Sequence, residues 1–152
     1  MDITIEKPKA EEARELNEFS RASKRYWGYP DEWLELWEHE MTITPETIRS
    51  RDFYVGRKEK ELVFFYSIRQ LPENSYELED CWVASQYIGK GYGRILFEHL
   101  NATLKSLNCH LLVIVSDPYA EGFYRRMGAV RVGEKPSTIK GRFLPVLEYK
   151  VK

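Results

Sequence analysis

Three glycines at alternate positions, Gly89, Gly91 and Gly93, stand where an aromatic and β-branched run gives way to a leucine-rich one, with Lys90, Tyr92 and Arg94 interleaved or adjoining. Glycine lets the chain turn tightly and lets a ligand approach the main chain, because no Cβ stands in the way. A helix opening at such a turn offers N–H groups without intrahelical acceptors and the positive end of its dipole, which suits a phosphate or pyrophosphate. Lys90 and Arg94 add positive charge at the same mouth. The loop alone leaves two readings open: a phosphate-bearing ligand held mainly by backbone, or a plain strand-to-helix turn. A dinucleotide fingerprint needs Gly-x-Gly-x-x-Gly and an acidic residue about 20 positions on. The spacing here is Gly-x-Gly-x-Gly, and Asp117 lies at the wrong distance and in the wrong context for a ribose contact. No Gly-Lys-Ser/Thr follows, which excludes a Walker loop.

Other chemistry-bearing residues are sparser. His39, His99 and His110 lie far apart without ligand spacing, so no metal site is expected. Glu77 and Glu79 share a face with Cys81 and Val83 by the two-residue period of a strand. They read equally well as solvated residues at a strand's start. Cys81 and Cys109 read as reduced thiols rather than a disulfide framework. Tyr26, Trp27, Tyr29 and Trp33 form an aromatic cluster near the N-terminal third, and aromatic faces can hold a cationic or planar group.

The elements that position these residues follow from periodicity. Ile3 and Ile5 alternate with polar neighbours, predicting a strand over 2–6. Ala10, Ala13, Leu16 and Phe19 predict a helix over 9–22, and the segment from Ser20 to Pro30 reads as a loop. A second helix carries Trp33, Leu34, Trp37 and Met41 on one side. Thr44 and Pro45 form a cap and first-turn pair for a short third helix. Strands are predicted over 53–57 and 62–69 around the turn Lys58-Glu59-Lys60, then over 76–84 into the glycine loop. The helix after the loop bears Leu96, Leu100, Leu104 and Leu107 with Phe97 beside them, and stops near Asn108. Residues 110–115 are nearly continuously apolar, as in a central strand covered on both faces. Asp117 and Pro118 form a second cap pair, before a helix with Ala120, Phe123 and Met127 inward and Gly128 at its C-terminal left-handed position. Strands over 130–134 and 143–151 close the chain, with Pro145 expected at an edge or bulge. The order is β-α-α-β-β-β-α-β-α-β-β, apart from the short third helix. The fold class is α/β (α+β), with a mixed, mostly antiparallel sheet flanked by helices.

Composition bounds the function. At 152 residues the chain is expected to form a single domain over 1–152. A net charge of −1 gives no field for nucleic acid. No apolar run approaches a membrane span and no signal peptide opens the chain, so a cytoplasmic protein with no membrane partner is expected. With 10 Tyr, 7 Phe and 4 Trp, much of the core should be aromatic.

Two segments resemble the GNAT superfamily of acyl-CoA-dependent N-acetyltransferases. Gly89-Lys-Gly-Tyr-Gly-Arg94 looks like its acetyl-CoA pyrophosphate loop, Arg/Gln-x-x-Gly-x-Gly/Ala. Ala120-Glu-Gly-Phe-Tyr-Arg-Arg-Met-Gly-Ala129 is similar to its late Ala-x-x-Phe-Tyr-x-x-x-Gly-Phe segment. The preferred register makes Gly91 and Gly93 the family pair and places Ile88 where Arg or Gln is usual. The other register, with Gly89 and Gly91 as the pair and Gln86 filling that position, would start the helix two residues earlier.

The resemblance implies acetyl-CoA as co-substrate, a GNAT-like fold, and direct attack by a primary amine of a small molecule or protein. It implies coenzyme contacts at Trp82, Val83, Ala84, Gly89, Lys90, Gly91, Tyr92, Gly93, Arg94 and, near a position often held by Asn, Asp117. The Val83 N–H becomes the oxyanion donor, Tyr124 the acid towards the coenzyme sulfur, and Glu77 the base, unless a water chain takes that role. Phe123 is expected to face the core, leaving Tyr124 about 100° around the helix and able to reach a cleft. Tyr26, Trp27, Tyr29 and Trp33 fall where the family builds its acceptor pocket. A catalytically silent acyl-CoA sensor is the alternative. Monomer and homodimer both remain open.

Overall fold

The computed structural model describes residues 2–40 and 42–152, so the expected place of Met41 in the second helix lies outside the described residues. Seven strands form one mixed sheet in the order β1-β2-β3-β4-β5-β7-β6, with helices packed on it. Two compact units divide the chain: residues 1–68 with 80–96, and residues 69–79 with 97–152. The division falls inside continuous elements.

In the first unit, β1 (Thr4–Glu6) pairs antiparallel with β2 (Asp52–Lys58), and β2 pairs antiparallel with β3 (Glu61–Leu71). A 3-10 turn at Ala10–Glu12 leads into α1 (Ala13–Arg25), followed by α2 (Asp31–Glu40) and α3 (Pro45–Ser50). Thr44 caps α3, accepting from the Thr47 amide at 3.1 Å. Helix α1 runs on through Arg25, where the sequence pattern predicted a loop from Ser20. Its inward residues there are Ser20 and Ser23, each 3% exposed, so the buried stripe continues with small polar side chains. Ser20 donates to the Asn17 carbonyl and Ser23 to the Val83 carbonyl, which makes their burial tolerable. Asn17 fastens α1 to the segment before α3 through two bonds to the Ile43 main chain, at 2.6 and 2.7 Å. Around them Ala13, Leu16, Ile43, Ile48, Phe53, Val55, Leu62 and Phe65 form the core, with Phe19 and Trp82 packed against it.

In the second unit, β4 (Ser75–Val83) pairs in parallel with β5 (Leu111–Val115), in a ladder from Ser75↔Leu111 to Leu78↔Ile114. β7 (Phe143–Lys150) lies antiparallel between β5 and the edge strand β6 (Val130–Pro136). Helix α4 (Tyr92–Ser106) sends Leu100 and Leu104 into this unit, fully buried with Leu112 and Leu147. Leu107 does not extend that stripe: it follows the helix end and is 38% exposed. Burial of β5 alternates rather than covering both faces, with Leu112 and Ile114 buried and their neighbours half-buried. Pro145 sits one step beyond the last β5–β7 pair, Val115↔Val146. The Ser116 amide donates to the Pro145 carbonyl at 2.8 Å, and proline has no N–H to return the bond, so the ladder stops there. Asp117 then caps a 3-10 turn (Pro118–Ala120) by accepting from the Tyr119 amide at 2.9 Å. Helix α5 (Glu121–Arg126) follows and ends at Gly128, whose φ of +106° a side chain would resist.

Candidate functional site

The glycine loop is built from the chain's own hydrogen bonds. After β4, a 3-10 turn (Ser85–Tyr87) closes with the Tyr87 amide on the Ala84 carbonyl at 2.9 Å, and the Lys90 amide returns to the Tyr87 carbonyl at 3.3 Å. Gly89 and Gly91 take φ values of +78° and +89°. A Cβ placed on Gly89 would meet no heavy atom within 4 Å, so that stretch of main chain faces open space. Helix α4 opens at Tyr92, and its first i to i−4 bond runs from the Ile95 amide to the Gly91 carbonyl at 3.4 Å. Gly93 lies inside the first turn. The amides of Tyr92, Gly93 and Arg94 precede the first intrahelical bond, and Lys90 and Arg94 are exposed beside them. Tyr92 is buried, its ring 5.0 Å from that of Tyr87. The Tyr87 hydroxyl bonds the Glu61 carboxylate, which pushes its phenol up and ties the loop to β3.

The strand leading to the loop has one edge already committed. The Ala84 amide donates to the Val63 carbonyl of β3 at 2.8 Å. Alternation along an extended chain turns the Val83 N–H and C=O to the opposite edge. There the Val83 carbonyl accepts from Ser23 Oγ at 3.2 Å. The neighbouring Trp82 indole Nε1 is buried and has no protein hydrogen-bond acceptor. Asp80, on the same side of β4 as Trp82, accepts from Ser67 Oγ at 2.5 Å and pairs with Arg51 at 3.2 Å.

Glu77 and Glu79 both face Arg69, at 3.3 and 2.6 Å. The two carboxylates hold the Arg69 guanidinium above its ordinary value, chiefly through the hydrogen bond to Glu79. Tyr124 is buried at 6% exposure, whereas Phe123 is only half-buried. This reverses the expected roles of the pair, with Phe123 inward and Tyr124 reaching out. The Tyr124 ring packs 5.4 Å from Phe123 and 6.5 Å from Phe97, edge-on to the first and tilted against the second. Asp117 divides its carboxylate between the Tyr119 amide and Arg142, the latter at 3.3 Å.

The aromatic residues resolve into contacts. Tyr26 is 52% exposed and meets Trp27 edge-on. Tyr29, Trp33 and Trp37 pack on one another at 5.1 to 5.9 Å between ring centres. Lys24 lies among rings: its Nζ is 4.2 Å from the Trp37 ring centre, 5.1 Å from Tyr29 and 5.7 Å from Trp82. The sequence singled out neither Lys24 nor Asp80. For Asp80 a signal existed, an acidic residue at the inward parity of Tyr76, Leu78 and Trp82. For Lys24 none did, since its cage joins residues 24 and 82. Among the described residues no His, Cys, Asp and Glu group could hold a metal ion, and no helix is long and apolar enough to cross a membrane.

An acetyltransferase (GNAT) family model matches residues 14–129, most of the chain. The chain belongs to the GNAT acetyltransferase family. Solved GNAT structures superpose over nearly its whole length. The PaiA N-acetyltransferase of Thermoplasma acidophilum, in complex with coenzyme A, aligns with a TM-score of 0.78 at 20% identity, covering 99% of both chains. The ribosomal-protein-S18-alanine N-acetyltransferase of Escherichia coli aligns with a TM-score of 0.73 at 15% identity, covering 99% of this chain and 94% of its own. yncA of Salmonella typhimurium, solved with its cofactor acetyl-CoA, aligns with a TM-score of 0.69 at 15% identity, covering 100% of this chain and 95% of its own. No curated protein sequence matches significantly. The GNAT fold is thus shared at identities where side chains have largely diverged.

Proposed function

We propose that this GNAT acetyltransferase is an N-acetyltransferase that moves an acetyl group from acetyl-CoA to a primary amine by direct attack. The observation carrying this reading is the loop in which Gly89 and Gly91 adopt positive φ immediately before α4 opens at Tyr92. The residues present fit the coenzyme. The loop exposes main chain to open space, a 15-residue helix points its N-terminus there, and Trp82 holds a buried donor without a protein acceptor on the adjoining strand. When bound, acetyl-CoA supplies the thioester acyl group that is transferred.

The amides of Tyr92, Gly93 and Arg94 hold the diphosphate, with Lys90 and Arg94 adding charge. Residues 82–84 hold the pantetheine arm, and Asp117 is assigned a further coenzyme contact. The Val83 N–H, turned away from β3, stabilises negative charge developing on the acyl oxygen. The attacking amine must first lose a proton, since an alkylammonium has a pKa near 10.4. Glu77 takes that role, directly or through water, with Arg69 fixing its carboxylate. Tyr124 delivers a proton to the departing sulfur. The aromatic residues Tyr26, Trp27, Tyr29 and Trp33 line the acceptor side.

The test is thiol release from acetyl-CoA across amines, polyamines, aminoglycosides and peptides, alongside calorimetry with CoA. Amine-dependent thiol release with a matching acetylated product supports the reading. Folded protein that binds no CoA, or binds it without turning over any amine, refutes it.

A further inference from the structure

A lysine side chain already sits where three aromatic faces converge. Trp37, Tyr29 and Trp82 surround the Lys24 ammonium at 4.2, 5.1 and 5.7 Å. All three distances fall within the reach of the attraction between a cation and a ring quadrupole, about 6 Å. The cage is also next to the acyl-transfer strand. Trp82 precedes Val83, and Ser23, the residue before Lys24, donates to the Val83 carbonyl. Trp37 is 7% exposed, so this wall is partly desolvated, which strengthens the attraction.

We infer that Tyr29, Trp37 and Trp82 form an ammonium subsite of the acceptor pocket, with Lys24 as a resident occupant that the acceptor displaces. The inference rests on the N-acetyltransferase reading and names its acceptor class. Ring faces favour the charged form of an amine, and the attacking nitrogen must be neutral. The nitrogen held in the cage is therefore not the one acetylated. The acceptor carries two nitrogen centres: a cation seated among the rings and a separate primary amine that attacks. Two ammonium groups cannot share the cage, since like charges about 4 Å apart repel. The flexible four-carbon stem of Lys24 lets its head swing out into water.

Two acceptors isolate this effect: butylamine and (3-aminopropyl)trimethylammonium, each with a single attacking amine and differing in fixed charge. The expected kcat/KM is at least about tenfold higher for the cationic amine. Lys24→Met should lower KM for the cationic amine several-fold and leave that for butylamine unchanged. Tyr29→Leu and Trp37→Leu should shrink the preference; Tyr29 is only half-buried, so its variant serves if the Trp37 variant misfolds. A second readout needs no turnover: tetramethylammonium, titrated without acetyl-CoA, should quench tryptophan emission saturably and bind tighter to Lys24→Met. Equal kcat/KM for the two amines, or a preference indifferent to Lys24→Met and Tyr29→Leu, overturns the inference. So does the absence of saturable quenching. Lys24-sensitive quenching in a protein that acetylates no amine keeps the subsite and removes the acetyltransferase reading instead.

Discussion

Replacing Tyr124 by Phe removes one oxygen atom from a buried ring and leaves its shape intact. The ring lies against Phe123 at 5.4 Å and Phe97 at 6.5 Å, and a phenylalanine keeps both contacts. The stability cost is then limited to the hydroxyl's own hydrogen bonding, about 0.5–1.5 kcal/mol. For a chain of this size that lowers Tm by roughly 1–6 °C. The expected catalytic effect is larger. A positioned proton donor contributes about 10² to 10⁴ in rate, or roughly 2.7 to 5.4 kcal/mol at about 1.36 kcal/mol per decade. Thiol release from acetyl-CoA, followed in a chromogenic assay at saturating amine, should fall by that factor, with the Kd for CoA changed less than threefold by calorimetry. Because the lost proton would have gone to the leaving sulfur, an acyl donor whose thiol is more acidic should recover part of the rate. Unchanged kcat in a folded variant would take Tyr124 out of the chemistry. A loss that a more acidic leaving thiol does not relieve would assign it to packing.

Three further outcomes are expected. Gly91→Ala forces a side chain onto φ of +89°, a strain of about 1–3 kcal/mol, and should weaken CoA binding by calorimetry, whereas Gly133→Ala on the edge strand should not. Leu104→Ala empties a fully buried position in α4, costing about 2–5 kcal/mol and lowering Tm by roughly 4–20 °C in a thermal melt. Burial pushes the His99 imidazole below its ordinary value, so the unfolded chain takes up a proton near pH 6.5 that the folded chain still refuses. Stability is then complete above about pH 6.5 and declines as the pH falls towards the depressed folded value, and urea midpoints at pH 7.5 and 5.5 should lie closer together in His99→Gln.

Strong periodicity and local turn chemistry made much of the molecule legible in advance. Thr44, Asp117 and Gly128 act through their own neighbours, and each stands at the cap or turn its type suggests. The helix after the glycine loop could be read from its leucine spacing. What escaped the sequence depends on distant partners. Ser20 and Ser23 look like loop residues because an apolar stripe was sought, and the burial of Ser23 makes sense only once the Val83 carbonyl is opposite. Phe123 and Tyr124 are nearly equal in volume, so a six-residue helix gives no period by which to say which lies deeper. Leu107 has the right spacing and lies one residue past the helix. The rings around Lys24 join segments too far apart in sequence for any local pattern to signal, whereas Arg69 meets Glu77 and Glu79 across one turn between consecutive strands, whose register was not read.

Recognition through main chain, as proposed for the glycine loop, also has an evolutionary consequence. Amides are the same whichever residue carries them, so most substitutions between Ile88 and Arg94 leave the donor array intact. Drift is costly at the glycines with positive φ and cheap between them. In the proposed reading the side chain at Ile88 is free to vary, and specificity for amines can be explored elsewhere in the chain while the hold on the acyl donor is kept.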